Sequence, residues 1–177
     1  GWVILVNSDG RRFVDETAPY GIMDGVMRDH GDVAYVVFDE DGLRPDGGGA
    51  RVEFKQDIPV RERTGPTWNP IMIDEMVAKG QVKSAPSIEG LAVELGMPPN
   101  HLVGTVERYN VGAATGDDDF AKASKFLTPI TRPPFFGAEV RPATVCFTAC
   151  GLRIDAETRV LDDDGRAIAG LFAVGEC

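Results

Sequence analysis

The chain is poor in the residues that many kinds of chemistry and many classes of partner require. Histidine occurs twice, at His30 and His101, and cysteine three times, at Cys146, Cys150 and Cys177. Cys146 and Cys150 are four apart, not in a CxxC arrangement, and with two histidines the ligand count speaks against a zinc centre. Three unpatterned cysteines give no disulfide framework, which points to a reducing compartment. Positive charge is also scarce: 18 Lys and Arg face 28 Asp and Glu, for a net charge of −10 and a pI near 4.6. A surface of that sign repels phosphates, so nucleic acid is excluded as an expected partner, and the acidity reads as an aid to solubility. No apolar run approaches the roughly 20 residues needed to span a bilayer, and there is no signal-peptide pattern. A cytoplasmic protein is expected. Three sequence motifs are missing as well: no GxGxxG follows a strand, no phosphate-binding P-loop exists, and no serine sits in a nucleophile elbow.

What is present is a foldable chain of 177 residues, 43% hydrophobic, punctuated by 21 glycines and 12 prolines. That length allows one sizeable domain, or one domain and part of another. The chain opens almost directly on a strand-like run and stops directly after another, with no polar tail at either end, so an excised segment of a longer protein is expected.

Residues 3–7 read as a strand, Asp9-Gly10 as a hairpin turn, and residues 11–14 as the returning strand. Pro19 fits a helix start, and Ile22, Met23, Val26 and Met27 recur at helical spacing up to Gly31. The continuous apolar run 33–38 reads as a buried strand. Residues 41–67, rich in Gly, Pro and charge, read as a long loop or short helices, with Gly47-Gly48-Gly49 mobile. Helices are expected over 70–78 and over 88–95, the latter capped by Ser87 and ended by Gly96. Asn100 is expected to cap a further helix with Leu102, Val103, Val106 and Tyr109 as its inner stripe. The histidines fall near helix ends and read as solvated or capping residues. After Pro133-Pro134 the pattern turns to strands: 135–140, 146–148, 152–154, 160–161 and 171–174, with a tight turn at Asp162-Asp163-Asp164-Gly165. A domain boundary is expected near residue 145.

Five stretches, in order, resemble one flavoprotein family. Ile4-Leu5-Val6-Asn7 followed by Gly10-Arg11-Arg12-Phe13-Val14-Asp15-Glu16 is similar to its "VN…G+RF.NE" signature. Gly104 to Asn110 resembles "TV.RYN", and Phe135 to Val140 resembles "YYA.EV". Thr148 to Asp155 resembles "T.GGL.ID", and Arg159 to Glu176 resembles "RVLD..G..I.GLYAAGE". The family contains the fumarate reductase and succinate dehydrogenase flavoprotein subunits and the 3-ketosteroid dehydrogenases. Each motif is weak singly; in order over nearly the whole chain they are specific.

The resemblance implies an α+β fold: a substrate-covering (capping) domain over residues 1–145 and a β-hairpin-rich return segment of the FAD domain over 146–177. It places Gly175 and Glu176 beside FAD. A glycine lets backbone approach a flat ligand, and a carboxylate accepts hydrogen bonds from ribityl hydroxyls. Cys150 and Gly151 stand where the family has Gly-Gly next to the flavin ring, so Cys150 is a departure. In the fumarate reductases an arginine follows the "NE"; here Asp15-Glu16-Thr17-Ala18-Pro19-Tyr20 is similar instead to the "NE..PY" of the 3-ketosteroid dehydrogenases. There the tyrosine takes a proton from the carbon beside a ketone. Removing two hydrogens across a C–C bond needs such a base, with the flavin accepting the hydride. The alternative for Tyr20 is a helix-start residue that packs its ring and leaves its hydroxyl wet.

Where fumarate reductases carry a substrate-gripping histidine, this chain has Cys146, Phe147 and Thr148. A phenylalanine lines an apolar pocket but cannot hold a dicarboxylate. Arg132 and Arg141 remain as anion-binding candidates, with exposed arginine as the plainer reading. Val174-Gly175-Glu176, by contrast, has the fumarate reductase form rather than the steroid dehydrogenase "AGN". The expectation is therefore part of an FAD-dependent oxidoreductase acting at a C–C bond alpha to a carbonyl, with an apolar carbonyl substrate. The alternatives are a fumarate reductase-type enzyme and a stand-alone binding module without redox activity. Without a pyrophosphate-binding turn, the chain by itself is not expected to hold FAD.

Overall fold

The computed structural model describes residues 3–43, 70–142 and 151–175. The chain forms two compact units, divided between Pro142 and Ala143. The expected loop over 41–67, with Gly47-Gly48-Gly49, and the expected strand 146–148 lie almost wholly or wholly outside the described residues.

The first unit is built on a four-stranded antiparallel sheet. Its strands are β1 (Ile4–Val6), β2 (Ala34–Asp39), β3 (Lys83–Ala85) and β4 (Phe135–Val140), in the order β1-β2-β4-β3. Ile4 pairs with Val37, Phe38 with Phe136, and Ser84 with Phe136 from the other side. Both faces of the sheet are covered, which explains the uninterrupted apolar run of β2: alternate residues enter different cores. Ile4, Val6, Val37 and Phe135 pack on one face with Leu91 and Ala92 of α3 (Ile88–Leu95) and with Leu102, Val106 and Tyr109 of α4 (Pro99–Thr115). Leu5, Ala34, Val36, Phe38, Phe136 and Ala138 pack on the other with Met27 of α1 (Tyr20–Asp29) and Ile73 of α2 (Pro70–Ala78). Full burial of each large side chain contributes about 1.5–3 kcal/mol. Phe38 and Phe136 stack at 5.2 Å between ring centres.

Local chemistry sets the boundaries. The Gly90 N–H donates to Ser87 Oγ at 3.0 Å, and Gly96 ends α3 at φ 73°, as the sequence leads one to expect. The helix after it begins two residues earlier than expected: Pro98 is the N-cap and Asn100 lies inside the first turn. Pro99, first in the helix, has its φ fixed for the first turn and no N–H to satisfy, so the start does not depend on a side-chain cap from Asn100. Asp39, 1% exposed at the end of β2, accepts N–H bonds from Gly42 (3.2 Å), Thr131 (2.9 Å) and Arg132 (3.0 Å). It thereby joins the turn after β2 to the segment entering β4.

The second unit is a hairpin of β5 (Arg159–Leu161) and β6 (Ala167–Phe172), turned at Asp162–Gly165. Val160 and Ala173 are buried, whereas Leu152, Ile154, Ile168, Leu171, Phe172 and Val174 are exposed. The expected strand 152–154 is reduced to one bridge, Ile154 to Val160, and the strand expected at 171–174 lies earlier, over β6.

Candidate functional site

The segment between β1 and α1 carries the candidate base, and its geometry follows from three local devices. The first is the turn after β1. Gly10 has φ +75° and lies against α4, where a Cβ would meet Leu102 N at 3.1 Å, so glycine is required there. The Thr105 hydroxyl donates to the Gly10 carbonyl at 2.7 Å. His101 Nδ1 donates to the Asp9 carbonyl at 3.0 Å, and Arg11 donates to His101 Nε2 at 3.3 Å. His101 is thus a linker between turn and helix. His30 caps α1 and lies 4.3 Å from the Phe13 ring. The returning strand expected over 11–14 is limited to a single bridge between Val6 and Arg12, because Arg12 turns into a buried ionic cluster.

That cluster is the second device. Glu16, with 2% of its side chain exposed, accepts from Leu5 N–H (3.0 Å), Arg12 Nε (2.7 Å), Arg12 Nη2 (2.9 Å) and Lys122 Nζ (2.9 Å). Lys122 Nζ also donates to the Val3 carbonyl at 3.1 Å, and Arg12 donates to both oxygens of Asp118. The Arg12 guanidinium lies 5.0 Å from the Tyr109 ring centre, and the Lys122 ammonium 5.3 Å. Two cations and two anions therefore balance inside the fold.

Burial opposes charge on each member, and the partners answer it. Burial pulls the Arg12 guanidinium down, but Glu16 and Asp118 more than reverse this and raise it. Burial would lift the Asp118 carboxyl, yet Arg12 and the N–H groups of Lys122 and Phe120 hold it below the usual carboxylate range. For Lys122, desolvation prevails over the attraction of Glu16 and lowers the ammonium. Burial pushes the Tyr109 phenol up to about 12, so this tyrosine stays protonated at neutral pH and is no base.

The third device is the turn into α1. Asp15 Oδ1 accepts from the Thr17 N–H (2.8 Å) and the Thr17 hydroxyl (2.7 Å), and the Ala18 N–H donates to the Asp15 carbonyl (3.0 Å). Pro19 at φ −57° is the N-cap, its carbonyl accepting from Ile22 and Met23. Tyr20 is the first residue of α1; its side chain lies outside the described residues.

The other candidates divide between the units. Cys146, Phe147, Thr148, Cys150 and Glu176 lie outside the described residues. Gly151 and Gly175 belong to the second unit and are exposed. Gly175 has φ +79°, and no described residue comes within 4 Å of the place a Cβ would take. At Gly175 the backbone thus leaves room for a flat ring system to approach. Arg132 pairs with Glu40 (3.4 Å) and Asp41 (3.2 Å), and Arg141 with Glu139 (2.5 Å), which accounts for both arginines without an anion. Among the described residues no helix is long and apolar enough to cross a membrane.

The family model described as "FAD binding domain" matches residues 3–177. The chain belongs to that family. It is 29% identical over 173 residues to the NADH:acrylate oxidoreductase of Vibrio harveyi, covering 98% of this chain and 15% of that protein. It is 30% identical over 198 residues to the 3-oxosteroid 1-dehydrogenase of Mycobacterium tuberculosis, covering 97% of this chain and 32% of the other. The structure of a 3-ketosteroid-Δ4-(5α)-dehydrogenase from Rhodococcus jostii in complex with 4-androstene-3,17-dione matches with a TM-score of 0.59 and 31% identity. That match covers 99% of this chain and 32% of that one. The chain therefore spans a third or less of the length of these relatives.

The motif residues now have physical explanations. In the stretch similar to "TV.RYN", Thr105 holds Gly10, Arg108 pairs with Asp119, Tyr109 lies under the cluster, and Asn110 exchanges two hydrogen bonds with Ile130 (2.8 and 2.7 Å). Sequence reasoning missed Lys122 and Asp118 as partners of Arg12 and Glu16. Both fall in a loop with no periodicity; only the buried-charge demand of Arg12 and Glu16 could have pointed to them.

Proposed function

We propose that the protein containing this chain is an FAD-dependent oxidoreductase that dehydrogenates or reduces a C–C bond alpha to a carbonyl. In this reading the first unit covers the substrate and the second is a segment of the FAD domain. The observation that carries it is Tyr20, first in α1 after a turn fixed at Asp15, Thr17 and Pro19, where an acid or base can be held in one place. FAD, when bound, supplies the hydride acceptor or donor. In dehydrogenation the Tyr20 phenolate takes the proton from the carbon beside the carbonyl, the neighbouring carbon gives up its hydride, and a C=C bond forms. Reduction runs the same transfers backwards.

Several findings support the reading. The chain belongs to an FAD-binding family, and its relatives include a 3-oxosteroid dehydrogenase and an acrylate reductase. The exposed Leu152, Ile154, Leu171 and Phe172 fit a hairpin that completes its core against a larger domain, since a lone two-stranded hairpin is marginal in water. Gly151 and Gly175 are the positions assigned to the flavin, with Cys150 and Glu176 beside them. Phe147, with Cys146 and Thr148, lines an apolar pocket in this assignment, which favours a carbonyl compound over a dicarboxylate.

The test is anaerobic mixing of the full-length, FAD-loaded protein with a 3-ketosteroid and, separately, with succinate. Bleaching of the flavin by the steroid alone is expected. Bleaching by succinate alone contradicts the apolar-substrate reading and points to dicarboxylate chemistry.

A further inference from the structure

We propose that Lys122 and Asp118, through Arg12 and Glu16, are the positioning residues that hold Tyr20 in its reactive place. The inference rests on the proposed role of Tyr20. The four side chains are almost fully buried, with 0–6% exposure. An apolar set of similar volume would avoid the desolvation cost of four charges. What the charges add is direction. Glu16 receives four N–H bonds from three separate parts of the chain: β1, Arg12 and the segment after α4. Lys122 ties that same segment to the Val3 carbonyl. The carboxylate is thus fixed from several sides, and only three residues separate it from Tyr20.

Those three are not free either. Thr17 is held by the Asp15 carboxylate, Ala18 by the Asp15 carbonyl, and Pro19 by its ring and by two helix amides. A shift of Glu16 is therefore expected to pass to the first turn of α1 through this short, hydrogen-bonded segment. Catalytic groups tolerate only about 0.5 Å of displacement, and about 1 Å of misplacement costs on the order of 100-fold in rate.

The experiment is a double-mutant cycle in the full-length, FAD-loaded protein. The rate of flavin bleaching by a saturating 3-ketosteroid is measured for the parent, Lys122→Met, Tyr20→Phe and the combined variant. Lys122→Met is expected to slow bleaching about 10- to 100-fold with FAD content unchanged, and to cause no further loss when Tyr20 is already Phe. Losses that multiply in the combined variant overturn the positioning role, as does a Lys122→Met protein that bleaches at the parental rate. Should Lys122→Met fail to fold or to retain FAD, Asp118→Asn, which keeps side-chain size, is carried through the same cycle with the same criteria. A Tyr20→Phe protein that bleaches at the parental rate, or a flavin the steroid leaves oxidised, overturns the tyrosine reading and this inference together. Failure of positioning alone is distinguished by a slow Tyr20→Phe beside an unaffected Lys122→Met.

Discussion

Replacing Glu16 by glutamine changes one oxygen to an amide nitrogen and almost nothing in volume, so it isolates the charge. In the native fold that carboxylate receives four N–H donors and balances Arg12 and Lys122 together with Asp118. In the variant two buried cations share one anion, and an amide N–H₂ is turned toward at least one donor. Breaking a buried pair by removing one partner costs about 3–5 kcal/mol, a large part of the roughly 5–15 kcal/mol that holds a domain folded. With a urea slope of about 2 kcal/mol/M, the midpoint falls by roughly 1.5–2.5 M. Urea unfolding of the chain by circular dichroism measures it. Asp24→Asn is the control, since the Asp24–Arg28 pair at 3.0 Å has side chains 49% and 70% exposed and such pairs contribute little. A Glu16→Gln midpoint no lower than that of Asp24→Asn would refute the view that the cluster is a desolvated, mutually dependent set.

Other outcomes follow from the same structure. Asp39→Ala leaves three backbone N–H groups without their acceptor at a buried site, and should cost on the order of 3 kcal/mol in the same urea assay. Gly137→Ala would place a Cβ 2.7 Å from Leu95 Cδ1, so a loss of about 1–3 kcal/mol is expected, and part of that penalty should vanish when Leu95 is also alanine. Stability should be flat from pH 7 to 5 and fall below about pH 4. The folded Asp118 carboxyl lies below its unfolded value of about 3.9, so its contribution is complete above that value and is lost as pH drops through the folded one. Asp118→Asn should show a shallower acid limb when urea midpoints are compared from pH 3 to 7.

The sequence carried the helices and the buried strand clearly, because period and capping chemistry agree there. Ser87 and Gly96 bracket α3, and the unbroken apolar run of β2 reports burial on both faces. It carried less where long-range pairing decides. β3 is three residues, Lys-Ser-Ala, with no strand-like composition; pairing with β4 alone makes it a strand. Residues 11–14 follow a hairpin-type Asp9-Gly10 turn, but the Arg12 side chain finds Glu16 and Asp118 instead of extending a ladder. The same holds for the candidate site. Tyr20 and its turn were visible from Pro19 and the motif, whereas Lys122 and Asp118 lie about 100 residues further along and are joined to it only by folding.

The central claim is that Tyr20 moves the proton while the flavin moves the hydride. Its most direct test is the rate constant of anaerobic flavin bleaching by a 3-ketosteroid in the full-length protein and in Tyr20→Phe, at equal FAD content. General acid–base catalysis contributes about 10²–10⁴-fold, so a loss of that size is predicted, with steroid affinity little changed. A Tyr20→Phe protein that bleaches as fast as the parent would contradict the account and assign the proton transfer to another group.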